Sequence, residues 1–149
     1  MEFETEAQQR AYERCAELAL VVFGETLVPL DDEPCFVMAK GSAFLYAHVK
    51  PWGEDRSVLQ VYAPVVSGAE ITLDLALYLL QENDSMRFGA FSVGEDDTIF
   101  FNHNVVADSL DKEEFKATIL AVLMSADDCD DEIVRRWGGR RASDAGAEA

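Results

Sequence analysis

Apolar positions along the chain follow two periods, and the switches between them mark the elements. Thr5 and Gln8 have the spacing of a capping box, and Cys15, Leu18, Ala19 and Val22 then recur at the three-four spacing of an amphipathic helix that Gly24 ends. A proline-bounded connector, Val28–Pro34, follows. Cys35–Ala39 reads as a strand, Lys40-Gly41-Ser42 as a hairpin turn, and Ala43–Lys50 as a second strand with strict alternation. The loop Pro51–Arg56 interrupts it, and Ser57–Val66 alternates again as far as Ser67–Glu70. Leu73–Leu80 returns to the helical period and stops at a turn over Asn83–Ser85. Met86–Val93 and Thr98–Val106 form a hairpin around Gly94–Asp97. Phe115, Ile119, Val122, Ala126, Cys129, Ile133 and Trp137 mark a last helix that starts near Asp111 and stops at Gly138-Gly139. Its about 27 residues would measure roughly 40 Å.

The order is therefore α-β-β-β-α-β-β-α, which predicts an α+β fold with helices packed against an antiparallel sheet. A single domain is expected over residues 1–139, with 140–149 as a disordered tail. Two elements carry more apolar surface than one core requires. In the Leu73–Leu80 helix, Leu73, Ala76, Leu77 and Leu80 make an ordinary core stripe, which leaves Leu75, Tyr78 and Leu79 in surplus. That second set is expected to form a self-complementary interface between two copies, with a face buried within one domain as the competing reading. In the strands, Leu45, Ala47, Val49, Leu59, Val61, Ala63 and Val65 share an aliphatic face. The opposite face carries Phe44, Tyr46, His48, Val58, Gln60 and Tyr62, with Trp52 in the adjoining loop. Aromatics with polar tips suit an interface, so this face is a candidate receiver for a peptide. A terminal helix covering it is the competing reading, and a free strand edge is another place for an extended peptide.

Composition narrows the chemistry. With 29 acidic against 12 basic residues the net charge is −17, which repels nucleic acid and anionic membranes. Cys15, Cys35 and Cys129 have no paired spacing, so neither a disulfide framework nor a zinc site is expected. The acidic start MEFETE lacks the basic region of a signal peptide, and a cytoplasmic protein is expected. Asp127–Glu132 (DDCDDE) lacks the glycine and ligand alternation of an EF-hand loop and reads as the solvated side of the last helix. His48 and His103 sit in separate strands without further ligands at workable spacing. No nucleophile elbow, phosphate loop or zinc-protease motif occurs. The expectation is a protein without catalysis, metal or cofactor.

Several stretches resemble a known family. Asn83 with Arg87-Phe88-Gly89, the Gly94–Asp97 turn, Thr98-Ile99-Phe100-Phe101, Leu110–Glu114, Ala126-Asp127, Asp130–Glu132 and Gly138-Gly139 together resemble the YbjN family. They are also similar to the small acidic chaperones of type III secretion that share its fold, and the actinobacterial TY-Chap domains look closest. The resemblance spans about residues 5–139 and is carried by topology more than by letters in the N-terminal half. It implies a type III secretion chaperone-like fold and a homodimer that binds polypeptide segments of a partner without a cofactor, as a chaperone or adaptor. A regulatory dimerisation module without a peptide groove is the alternative it leaves open.

Overall fold

The computed structural model describes residues 1–40 and 43–142. Helix α1 (Glu6–Phe23) leads through a single 3-10 turn to strands β1 (Leu27–Pro29), β2 (Cys35–Lys40), β3 (Ala43–Trp52) and β4 (Arg56–Ser67). Helix α2 (Leu73–Ser85), strands β5 (Ala90–Val93) and β6 (Ile99–Val106), helix α3 (Lys112–Trp137) and the short β7 (Arg140–Arg141) complete the order. The fold is the α+β class that the sequence predicts.

The sheet is antiparallel in the order β1-β2-β3-β4-β6-β5, and β7 joins the end of β4. Alternation does what it should: Leu45, Ala47, Val49, Leu59, Val61 and Ala63 are buried on one face with Phe36, Met38, Ile99 and Phe101. Helices α1 and α3 pack on that face, with Cys15, Leu18, Phe115, Ile119, Val122 and Ile133 in one continuous core. Thr5 caps α1 by accepting the Gln8 amide at 3.0 Å. The buried Gln8 side chain donates to the Val49 carbonyl at 3.0 Å, so the first turn of α1 is fastened to β3. Asp111 caps α3 by accepting the Glu114 amide at 2.8 Å.

Four details depart from the sequence expectation. Leu27–Pro29, within and before the expected connector, is a short edge strand on β2. Asn83–Ser85 is the last turn of α2 rather than a loop. The strand expected from Met86 starts only at Ala90, because Gly89 stands in the left-handed region at φ 74°. Arg140 and Arg141, expected in the disordered tail, pair with Ser67 and Val66. Gly138 and Gly139 at φ 81° and 85° reverse the chain to bring them there. Residues 143–149 of that tail, and Gly41 and Ser42 of the expected hairpin turn, lie outside the described residues.

The second helix corrects the sequence reading most sharply. Leu75 and Leu79, the surplus set, are 0% and 4% exposed in the chain's own core, whereas Leu73, Leu77 and Leu80 of the expected core stripe are 77%, 46% and 63% exposed. Tyr78 is half-buried, its ring 4.9 Å from that of Trp137 and under the Arg136 guanidinium. With apolar residues on both sides, periodicity identifies two stripes and cannot say which faces inward. Asn83 decides it. Its side chain accepts from the Phe91 amide at 2.7 Å and donates to the Phe91 carbonyl at 3.3 Å. Leu75, Leu79 and Asn83 lie four residues apart on one line of the helix, so the stripe that carries Asn83 must face β5.

Candidate functional site

The opposite face of the sheet is open: the three helices spend their apolar stripes on the inner face or beside β5, and among the described residues none covers the outer one. Strand pairing brings the expected residues together there. Tyr46 stands directly opposite Tyr62, His48 opposite Gln60, and Lys50 opposite Val58. The Tyr46 and Tyr62 rings stack at 5.2 Å, and Phe44 meets Tyr46 edge-on at 5.1 Å. Phe100 of β6 extends the row, its ring 6.3 Å from that of Tyr62. Phe44, Tyr46, Tyr62 and Phe100 thus form a ribbon of rings that crosses β3, β4 and β6.

Trp52 is set apart. It lies at the far end of β3, half exposed, with the Arg56 guanidinium 4.8 Å above its ring. Arg56 also reaches Asp108 at 3.8 Å. Phe100, in contrast, is a residue that the sequence pattern did not assign to the site. The missing signal was the register of β6 on β4, which sets Phe100 opposite Pro64 and Asn102 opposite Tyr62.

Burial shifts Tyr46, Tyr62 and His48 of this face toward their neutral forms. Burial foremost, then the nearby Cys35 and Glu33, raises the pKa of Tyr46 and Tyr62, so both stay neutral phenols able to donate or accept. Burial, with Lys50 beside it, lowers His48, and Glu33 pulls the other way. His48 is therefore uncharged at neutral pH. His103 lies on the inner face of the sheet, opposite Val61, in a cleft of about 210 Å³ lined with Phe88, Val105, Glu114, Ala117 and Thr118. The two histidines, on opposite faces, cannot act on one substrate. Burial pushes Cys15 up to about 12 and Cys35 and Cys129 up to about 11, so the thiols remain protonated and unreactive. Among the described residues no three histidine, cysteine or acidic side chains converge as a metal-holding group. Of the DDCDDE run, Asp131 bonds Arg141 and Glu132 bonds Arg135, both at 2.8 Å. No described helix is long and apolar enough to cross a membrane.

Both edges of the sheet are poor templates for an added strand. On β5 the outward-facing backbone belongs to Phe91 and Val93, because Ala90 and Ser92 pair inward with Asn102 and Phe100. Asn83 takes both groups of Phe91. On β1 the outward positions are Leu27 and Pro29, and proline has no N–H to offer. The face, not the edge, is the accessible apolar surface.

Similarity to known proteins agrees with this architecture. A chain of the crystal structure titled "Crystal Structure of the ExsC-ExsE Complex" superposes with a TM-score of 0.64 at 18% identity, over 83% of this chain and 93% of that one. At that identity the likeness is one of fold. No curated protein sequence matches. Residues 10–145 match the family model TY-Chap1, described as type III secretion (YopN, CesT) and YbjN peptide-binding chaperone 1. With nearly the whole chain matched, this protein belongs to the TY-Chap1 family of peptide-binding chaperones.

Proposed function

We propose that the outer face of the sheet is the peptide site, that it works without catalysis, and that two copies pair through α2. The single observation that carries the reading is the ribbon Phe44–Tyr46–Tyr62–Phe100 on a sheet face that no described element covers. Rings of this kind bury a partner's apolar side chains while their hydroxyls bond its backbone. The net charge of −17 keeps such a surface soluble when it is empty.

For the dimer, the support is the exposed line of Leu73, Leu77 and Leu80 on α2, which is self-complementary about a two-fold axis. Leu75, Tyr78 and Leu79, expected there from sequence, are used inside the monomer instead. Leu73→Glu with Leu77→Glu is expected to weaken dimerisation about a hundredfold, since each buried leucine contributes about 1.5–3 kcal/mol. Light scattering across a dilution series reads this, and added salt should tighten the wild-type dimer by screening the repulsion between two copies that each carry a net charge of −17. A wild type that is monomeric at every concentration would remove the dimer from the account.

The peptide site is tested by panning a random displayed-peptide library on the purified protein. Enrichment of sequences with alternating aromatic or aliphatic residues is expected, and Tyr46→Ser should abolish it. Failure to enrich any sequence would leave a dimerisation module without a peptide groove.

A further inference from the structure

Strand β5 is shorter than β6 and leaves the end of its neighbour uncovered. Pairing between them runs only from Ile99 to Asn102 of β6, because Gly89, at φ 74°, takes the chain out of the row beside Ala90. His103 to Val106 therefore have β4 on one side and, among the described residues, no strand on the other. The Ala107 amide donates to the Ser57 carbonyl at 2.8 Å, and the Gly94 amide to the Thr98 carbonyl at 2.9 Å. Alternation from these two bonds gives the backbone groups of His103 and Val105 to β4 and turns the N–H and C=O of Asn104 and Val106 to the open side. Among the described residues nothing bonds them. The closed edges are those of β5 and β1; past the end of β5 the edge is β6 itself. Beside this stretch, on the inner face, lies the cleft of about 210 Å³ that holds His103. Phe88 walls it, 58% exposed and with its ring edge-on to His103 at 5.8 Å. Val105 and, from α3, Glu114, Ala117 and Thr118 complete the lining. Burial lowers the pKa of His103, so its ring is neutral there. An apolar cavity of about 150 Å³ holds a benzene ring, so this cleft has room for one phenylalanine side chain.

We infer that the open end of β6 takes an extended segment of a partner polypeptide as an added strand, with one phenylalanine-sized side chain in the cleft between Phe88 and α3. Two independent features meet at this place. Asn104 and Val106 offer donor and acceptor in the spacing that another main chain satisfies. In the resulting ladder the residue opposite Val105 forms a non-hydrogen-bonded pair, whose side chains approach most closely and point to the same face. That face is the inner one, so this side chain meets the cleft, while its neighbours bond Asn104 and Val106. The site is separate from the outer face and does not rest on it. A second copy of this chain is a poor occupant. It brings the same net charge of −17, and its β1 and β5 edges are closed.

The test uses isotope-labelled full-length protein and the peptide Lys-Thr-Val-Thr-Phe-Thr-Val-Thr-Lys, followed by residue-resolved amide exchange. In the free protein the Asn104 and Val106 amides are expected to exchange at least about tenfold faster than those of His103 and Val105, and the peptide should slow them. Alanine in place of the peptide's phenylalanine should weaken binding about tenfold or more. N-methylation of both threonines beside that phenylalanine should remove the protection, since it deletes the N–H groups that face β6. Asn104→Pro deletes an edge N–H and no β4–β6 bond, and should weaken the peptide about tenfold; the N-methylated peptide gives the same answer with the wild-type protein. Tyr46→Ser with Tyr62→Ser should leave the protection at Asn104 and Val106 unchanged. Slow exchange of these two amides in the free protein at every concentration overturns the inference, as does equal protection by the alanine or N-methylated peptide. Protection in the free protein that fades on dilution assigns the edge to a second copy and overturns the partner reading. Peptide effects confined to the surroundings of Tyr46 and Tyr62 overturn the edge site and leave the outer face standing.

Discussion

Replacing both Tyr46 and Tyr62 by serine is expected to lower affinity for a selected peptide about a hundredfold. Central aromatic residues of an interface cost about 2 kcal/mol or more on truncation, and 2.8 kcal/mol corresponds to a factor of about a hundred. The two rings stack on each other across β3 and β4, so their effects overlap, and the double substitution should cost less than the sum of the singles. The fold should survive. Both side chains stand on the uncovered face, and losing one cross-strand ring pair costs about 1 kcal/mol, or roughly 3 °C in Tm. Calorimetric titration paired with thermal unfolding separates the two effects. Leu20→Ser, at a 70% exposed position on α1, is the control that should leave affinity unchanged. Loss of binding in that control as well would point to a site on the helices.

The largest expected effect on stability comes from a single methyl group. Gly89→Ala would place a Cβ 2.5 Å from the Asn102 carbonyl oxygen and 2.7 Å from the Phe101 ring, at a residue whose φ is 74°. The backbone term costs about 1 kcal/mol and the overlap with a packed ring and a fixed carbonyl adds about 1–3 kcal/mol, for a total of about 3 kcal/mol. Gly53→Ala isolates the first term. Its φ is 66° and nothing lies within 4 Å of the added carbon, so about 1 kcal/mol is expected. Urea denaturation of the two variants should thus give midpoints clearly separated, with Gly89→Ala the lower. Equal losses would mean that the approach of β6 to Gly89 relaxes freely. At this position only glycine lets the chain leave α2 and enter β5 against β6.

How far the sequence revealed this depended on whether a pattern had one physical solution. The strands β3 and β4 alternate as far as the irregularity after Pro64, so the membership of each face was legible, down to Tyr46, Gln60 and Tyr62 sharing a side. The caps Thr5 and Asp111 and the stop at Gly138 were legible for the same reason, since each satisfies a helix end in one way. Helix α2 had two solutions. Leucine on both stripes leaves the period silent about orientation, and the polar residue that orients it, Asn83, acts through hydrogen bonds to β5 that no periodicity records. The strands Leu27–Pro29 and Arg140–Arg141 are too short for a period to register. Alternation also could not say whether a helix covers the aromatic face. That depended on α1 and α3 packing on the inner side and α2 beside β5, a property of the whole packing. Phe100 entered the site only through the pairing of β6 with β4.

The central claim is that a partner's side chains lie on the outer face of β3, β4 and β6. The most direct measurement is photo-crosslinking of a library-selected peptide, carrying a photoreactive phenylalanine in its core, followed by mass spectrometry of the digested complex. The account predicts adducts on Phe44, Tyr46, Tyr62 and Phe100, within β3, β4 and β6. Adducts confined to α1, α2 or α3 would contradict it.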